Sequence, residues 1–144
     1  MLALGASCLP CLAIAIVIVA AKRATAVRIV AVNCTGATLR DIELLGTEAD
    51  GEGWPNTVKH VPPYGLGAFG SFSTSEVSLT GACISPNLYA SFSPYVMIGS
   101  GDVCVIQFLP DSVQATVCKV DRLSAVPKPP RLYSTVAPLV SRSP

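Results

Sequence analysis

Charge is scarce in this sequence. Asp, Glu, Lys and Arg make up 13% of its 144 residues, and the formal net charge is +1. A near-neutral chain sets up no broad field to draw in phosphate backbones or anionic lipid, so nucleic acid is not expected as a partner. Histidine is scarcer still, since His60 stands alone. A catalytic histidine needs a nucleophile and an orienting carboxylate around it in space. The sequence has no G-x-S-x-G, and nothing marks a particular serine. His60 therefore reads as an exposed or half-buried strand residue, and the chain as a non-enzyme. Close cysteine pairs are missing beyond residue 26, where the nearest two, Cys104 and Cys118, lie 14 residues apart. Structural zinc sites usually contain a C-x2–4-C pair, so neither a metal nor a cofactor is expected. The last absence is a sustained helical period, which is not found after residue 26.

What is present begins with an apolar run. Leu2 to Ala21 reads LALGASCLPCLAIAIVIVAA without a charged side chain, and Lys22-Arg23 end it. About 20 apolar residues in a helix match the roughly 30 Å hydrocarbon core of a bilayer. Residues 1–26 are therefore expected to be a signal peptide or an uncleaved transmembrane anchor, with the membrane met through residues 2–21. The run is longer than a usual signal core of about 7–15 residues, and no basic segment precedes it, which favours an anchor. Ala24-Thr25-Ala26 nevertheless forms a small-x-small cleavage site, with Ala24 and Ala26 as its small residues and Val27 as the first residue after it. Lys22, Arg23 and Arg28 all follow the span, and the positive-inside rule would hold the rest of the chain in the cytoplasm.

The cysteines point the other way. Cys34, Cys83, Cys104 and Cys118 follow the apolar run, and an even number in a small exported domain suggests two disulfides, with three pairings open. Together with an all-β pattern they favour a domain on the periplasmic or extracellular side, secreted if cleaved.

From Val27 the periodicity is that of strands. Val27–Asn33 is a β-branched run ending at a Thr35-Gly36 turn, and Leu39–Leu44 follows, the pair suggesting a hairpin. Leu39 is out of phase with Ile42 and Leu44, so a bulge at Arg40-Asp41 is expected to bring all three inward. Further strands are expected at 57–61, 68–73, 76–79, 87–92, 95–98, 103–109 and 113–120, with Pro94 as an interruption and Gly99-Ser100-Gly101-Asp102 as a strong turn. Cys104, Ile106 and Phe108 share one face, as do Thr116 and Cys118. The expected fold is all-β, a single small β-sandwich of about seven antiparallel strands over residues 27–123. Residues 124–144 carry Pro127, Pro129, Pro130, Pro138 and Pro144 and are expected to form a disordered tail.

Several motifs fail on context. Gly65-Leu66-Gly67-Ala68-Phe69-Gly70 matches G-x-G-x-x-G, but Pro62-Pro63 precedes it and no helical pattern follows, so it reads as a turn between strands. Cys8 and Cys11 form a C-x-x-C inside the apolar run, where thiolates are disfavoured. Glu48, Asp50 and Glu52 alternate like part of a calcium loop but lack its late ligands. Asn33-Cys34-Thr35 satisfies the glycosylation sequon and reads more simply as a strand end.

The function expected is that of a membrane-anchored or exported binding module, with Tyr64, Phe69 and Phe72, and Tyr89, Phe92 and Tyr95, as the regions where a partner would be sought. The alternatives are a structural cell-envelope component, or a small hydrolase or metal-dependent enzyme using His60 with the acidic loop.

Overall fold

Alternating β-branched residues and frequent turn formers give ten strands in the computed structural model, which describes residues 27–48, 56–72, 76–119, 126 and 128–142. The expected leader, residues 1–26, lies outside the described residues. The strands are β1 (Val27–Asn33), β2 (Leu39–Glu48), β3 (Asn56–Val61), β4 (Leu66–Phe72), β5 (Glu76–Ser85), β6 (Leu88–Gly99), β7 (Val103–Phe108), β8 (Ser112–Lys119), β9 (Arg131–Pro138) and β10 (Val140–Ser141). They form two sheets of five, ordered β4-β1-β7-β8-β9 and β10-β6-β5-β2-β3. The arrangement is all-β and consistent with a sandwich.

The alternation expected of β7 fills the space between the sheets. Cys104, Ile106 and Phe108 pack there with Ile29 from β1, Ile42 and Leu44 from β2, Leu79 from β5 and Ile98 from β6. Each fully buried Val, Leu, Ile or Phe contributes roughly 1.5–3 kcal/mol, so this row dominates stability. The other face of the β7 sheet carries a smaller cluster of Val32, Val103, Val105 and Cys118, so β7 is buried on both faces.

Four expectations are corrected. First, β1 and β2 are not a hairpin, because they belong to different sheets. The turn between them crosses the sandwich, and β1 instead lies between antiparallel β4 and parallel β7. Second, the strands are therefore not all antiparallel. Third, Pro94 does not split a strand. β6 runs through it, and the register to β5 jumps from Gly81↔Ser91 to Leu79↔Val96, so β6 bulges between these pairs. Fourth, the Pro-rich end is not a disordered tail in its described part. Arg131–Pro138 forms β9 along the whole of β8, and Val140–Ser141 forms β10 on the opposite sheet.

The phase slip at Arg40-Asp41 takes a different form from the one expected. Register to β3 continues without a shift from Leu39↔Val61 to Leu44↔Asn56. Asp41 has a φ of 50°, and this left-handed residue turns the strand. Ile42 and Leu44 are buried, and Leu39 packs against their cluster in part.

The last segment of the chain closes one side of the sandwich. β9 leaves the β7 sheet and β10 joins the other sheet at Leu88 and Tyr89 of β6. Arg142 fastens this crossing, with its N–H donated to the Asn87 carbonyl at 2.8 Å and its guanidinium 4.8 Å from the Tyr89 ring centre.

Candidate functional site

The four cysteines are free thiols. Register explains why the two expected disulfides do not form. Cys104 faces the interior between the sheets, whereas Cys118 belongs to the cluster on the outer face, with Cys34 packed against that cluster. Cys83 alternates with Ala82 of the main core and so lies on the outer face of the other sheet. Cys34 and Cys118 share a face but sit near opposite ends of β7, beside Phe108 and Val103 respectively. Five residues of strand place them at least about 16 Å apart, well beyond a disulfide's reach.

Burial pushes the Cys104 thiol strongly upward, and the charge of Asp102 adds to it. Cys118 is raised by the same two causes, and Cys34 by burial against an opposing hydrogen bond from the Gln107 side chain. Neutral thiols are thus favoured by the fold. The contribution of Cys104 is complete below the ordinary thiol range near pH 9 and is lost as pH rises above it, by about 1.4 kcal/mol per pH unit. Cys104→Ala is expected to lower stability by about 1 kcal/mol at pH 7 and to flatten its fall between pH 9.5 and 11 by about that slope. Urea unfolding across that range measures both.

His60 is exposed on β3, opposite Arg40. Glu48 ends β2 at the other extreme, eight residues from Arg40, or about 26 Å along the strand. The residues expected to act with His60 are therefore not brought together in the described part of the acidic loop; Asp50 and Glu52 lie outside the described residues. Among the described residues no group of three or more His, Cys, Asp and Glu is placed to hold a metal. The G-x-G-x-x-G match becomes a turn and then β4, with no helix N-terminus to face a phosphate.

Asn33 is fully buried, and its side chain makes five hydrogen bonds. Its Nδ2 donates to the carbonyls of Ala37 at 2.7 Å, Pro62 at 3.0 Å and Val61 at 3.3 Å. Its Oδ1 accepts from the Thr35 N–H at 2.9 Å and the Thr35 hydroxyl at 2.8 Å. This amide ties the turn after β1 to the loop between β3 and β4, a structural role that leaves it no freedom to serve as a sequon acceptor.

The aromatic residues separate by type. Phe69 and Phe92 are buried in the main core, whereas Tyr64 and Tyr95 are 68% and 57% exposed. Tyr95 emerges where β6 bulges away from β5, and it lines a groove of about 390 Å³ with Val96, Met97, Val117, Lys119, Tyr133 and Thr135. The groove lies between β6 and the β8–β9 pair, beyond the β10 crossing at Leu88 and Tyr89. β10 pairs only with Leu88 and Tyr89, so beyond that point β6 has no sheet partner on this side among the described residues. β9 is likewise the last strand of its sheet. Two strand edges therefore flank the groove. Val96 and Val117 are buried, Tyr95 and Tyr133 are more than half exposed, and the Lys119 ammonium lies 5.9 Å from the Tyr133 ring centre. An apolar floor with exposed tyrosines, a cation and free edges suits a protein ligand. Tyr95 belongs to a region expected from the sequence; Lys119 and Tyr133 do not. The alternation through Leu132, Tyr133, Ser134, Thr135 and Val136 was the available signal, obscured by the prolines on either side.

No protein-family model, curated protein or solved structure matches the chain.

Proposed function

We propose that this chain is a non-catalytic binding module, held at a membrane by residues 2–21 or released by cleavage after Ala26, with its β-domain on the exported side. The observation that carries the binding role is the groove between β6 and β9, whose exposed Tyr95 and Tyr133 flank buried Val96 and Val117. Tyrosines that present an apolar ring and a polar tip are favoured at interfaces. The membrane assignment rests on the length of the uncharged run and on Ala24-Thr25-Ala26. Free thiols withdraw the disulfide argument for export, so that side is supported by the Ala24-Thr25-Ala26 cleavage site and the all-β fold, against the charges of Lys22, Arg23 and Arg28.

A structural envelope role is favoured by one observation: Leu132 and Val136 of the β9 edge strand are 56% and 58% exposed, an apolar pair suited to edge-to-edge assembly. Photocrosslinking in the producing cell separates the two. A benzophenone side chain replacing Tyr133 is expected to give one discrete heterologous adduct, while the same group replacing exposed Arg40 of β2, away from the groove, gives none. Adducts of the chain with itself alone would favour assembly, and the absence of any adduct from Tyr133 would overturn the groove's role.

A further inference from the structure

We infer that the groove takes an extended acidic peptide, added as a strand between the open edges of β6 and β9. This rests on the binding role proposed above and names its partner class. Three observations lead to it. The first is the pair of edges. Beyond the bulge, Val96–Gly99 of β6 pairs with β5 only, and β9 pairs with β8 only, among the described residues. A chain lying between them would meet backbone donors and acceptors aligned along a strand, the mode by which extended peptides join sheet edges.

The second is charge. Residues 112–144 contain Lys119, Arg122, Lys128, Arg131 and Arg142 against Asp121 alone, whereas residues 1–111 contain five Lys or Arg and eight Asp or Glu. Of these, Lys119 and Arg131 stand on β8 and β9, the strands that build one wall of the groove, whereas Arg142 packs on Tyr89 at the closed end. Lys119 lies in the groove lining, and Arg131 is its register partner on β9. Both are exposed. Asp102, near the end of β6, is buried and accepts the Gly99 N–H at 2.9 Å. A partner carrying carboxylates is therefore steered toward this wall and held by Lys119 at short range.

The third is the alternation of the lining. Val96 and Val117 offer a buried apolar floor, and Tyr95, Tyr133 and Lys119 an exposed rim. A strand presents successive side chains to opposite sides. A peptide alternating aliphatic and acidic residues places the first set on the valines and the second beside Lys119 and the tyrosine rings.

The test uses the full-length chain in detergent micelles and a fluorescein-labelled octapeptide of alternating valine and glutamate, followed by fluorescence anisotropy. Controls are the valine–lysine octapeptide and a version with prolines at two central positions. The expected result is saturable binding of the glutamate peptide, at least tenfold weaker for the lysine peptide and for the proline version. Lys119→Glu is expected to weaken it at least tenfold, Tyr133→Ala at least threefold, and Arg40→Glu, on β2 outside the groove, little, with thermal melting confirming that each variant is folded. Equal binding of the acidic and basic peptides, or binding untouched by Lys119→Glu, overturns the inference. Failure of the glutamate peptide to bind also overturns it. If a discrete heterologous adduct is still obtained from position 133, the binding role survives and only the partner class falls; if that adduct is absent too, both fall. Self-association of the wild type that Lys119→Glu abolishes would replace the peptide by a second copy of this chain.

Discussion

Deleting residues 124–144 is expected to leave no folded domain. The deletion removes β9, which pairs with β8 over eight register positions from Ser112↔Pro138 to Lys119↔Arg131. It also removes buried Ala137 and partly packed Leu139 from the main core, and the Thr116–Ser134 hydroxyl pair at 2.9 Å. Val113, Ala115 and Val117 of β8, now almost fully buried, would lie beside an open edge. Loss of ladder hydrogen bonds at about 0.5–1.5 kcal/mol each, together with the lost burial, is comparable to the roughly 5–15 kcal/mol by which a domain of this size is stable. Circular dichroism of the truncated chain is expected to lose its cooperative thermal transition, with aggregation through β8. A truncated chain that melts like the full chain would mean that this segment adds nothing to the fold.

Asn33→Ala is expected to be the most damaging single polar substitution among the described residues, at about 3 kcal/mol or a fall of about 10 °C in Tm. Five hydrogen bonds meet on this fully buried amide, and two of the acceptors, the carbonyls of Val61 and Pro62, belong to the end of β3 and the loop after it, distant in sequence. That loop is also held by the Asn33 N–H on the Gly65 carbonyl at 2.9 Å and by the Tyr64 N–H on the Thr35 carbonyl at 3.3 Å. Removing the side chain takes the donor from the buried Val61 carbonyl and removes the part-buried bonds to the carbonyls of Ala37 and Pro62. Asn33→Asp is expected to do at least as much harm, because a carboxylate would face three carbonyl oxygens. Thr35→Val, which removes only the hydroxyl, is expected to cost about 1 kcal/mol. Urea unfolding measures all three, and a loss below 0.5 kcal/mol for Asn33→Ala would contradict the role given to it.

Most strands between Val27 and Lys119 were legible in the sequence, whereas their partners were not. Val27–Asn33 and the core face of β7 follow from alternation alone. Alternation is local, however, and says nothing of which edge a strand joins. That is why β1 beside β7 in parallel, and β2 in the opposite sheet, could not be read from a turn signal at Thr35-Gly36. Composition misled at the C-terminal end. Pro129 and Pro130 precede β9 and Pro138 ends it, so the prolines bound a strand rather than prevent one. Cysteine counting misled for another reason: a disulfide depends on face and register, and these four thiols occupy three faces. The groove was half legible. Tyr95 stood out as an aromatic, but its neighbours Lys119 and Tyr133 meet it only because β9 follows β8.

Both the completed fold and the groove depend on Arg131–Pro138 being a strand with one paired and one open edge. Residue-resolved hydrogen exchange of the full chain measures this directly. Alternate amides of β9 that face β8 are expected to exchange as slowly as those of β8, while the intervening amides on the groove side exchange rapidly. Uniformly rapid exchange from 131 to 141 would contradict the account, removing the closing strand and the groove wall together.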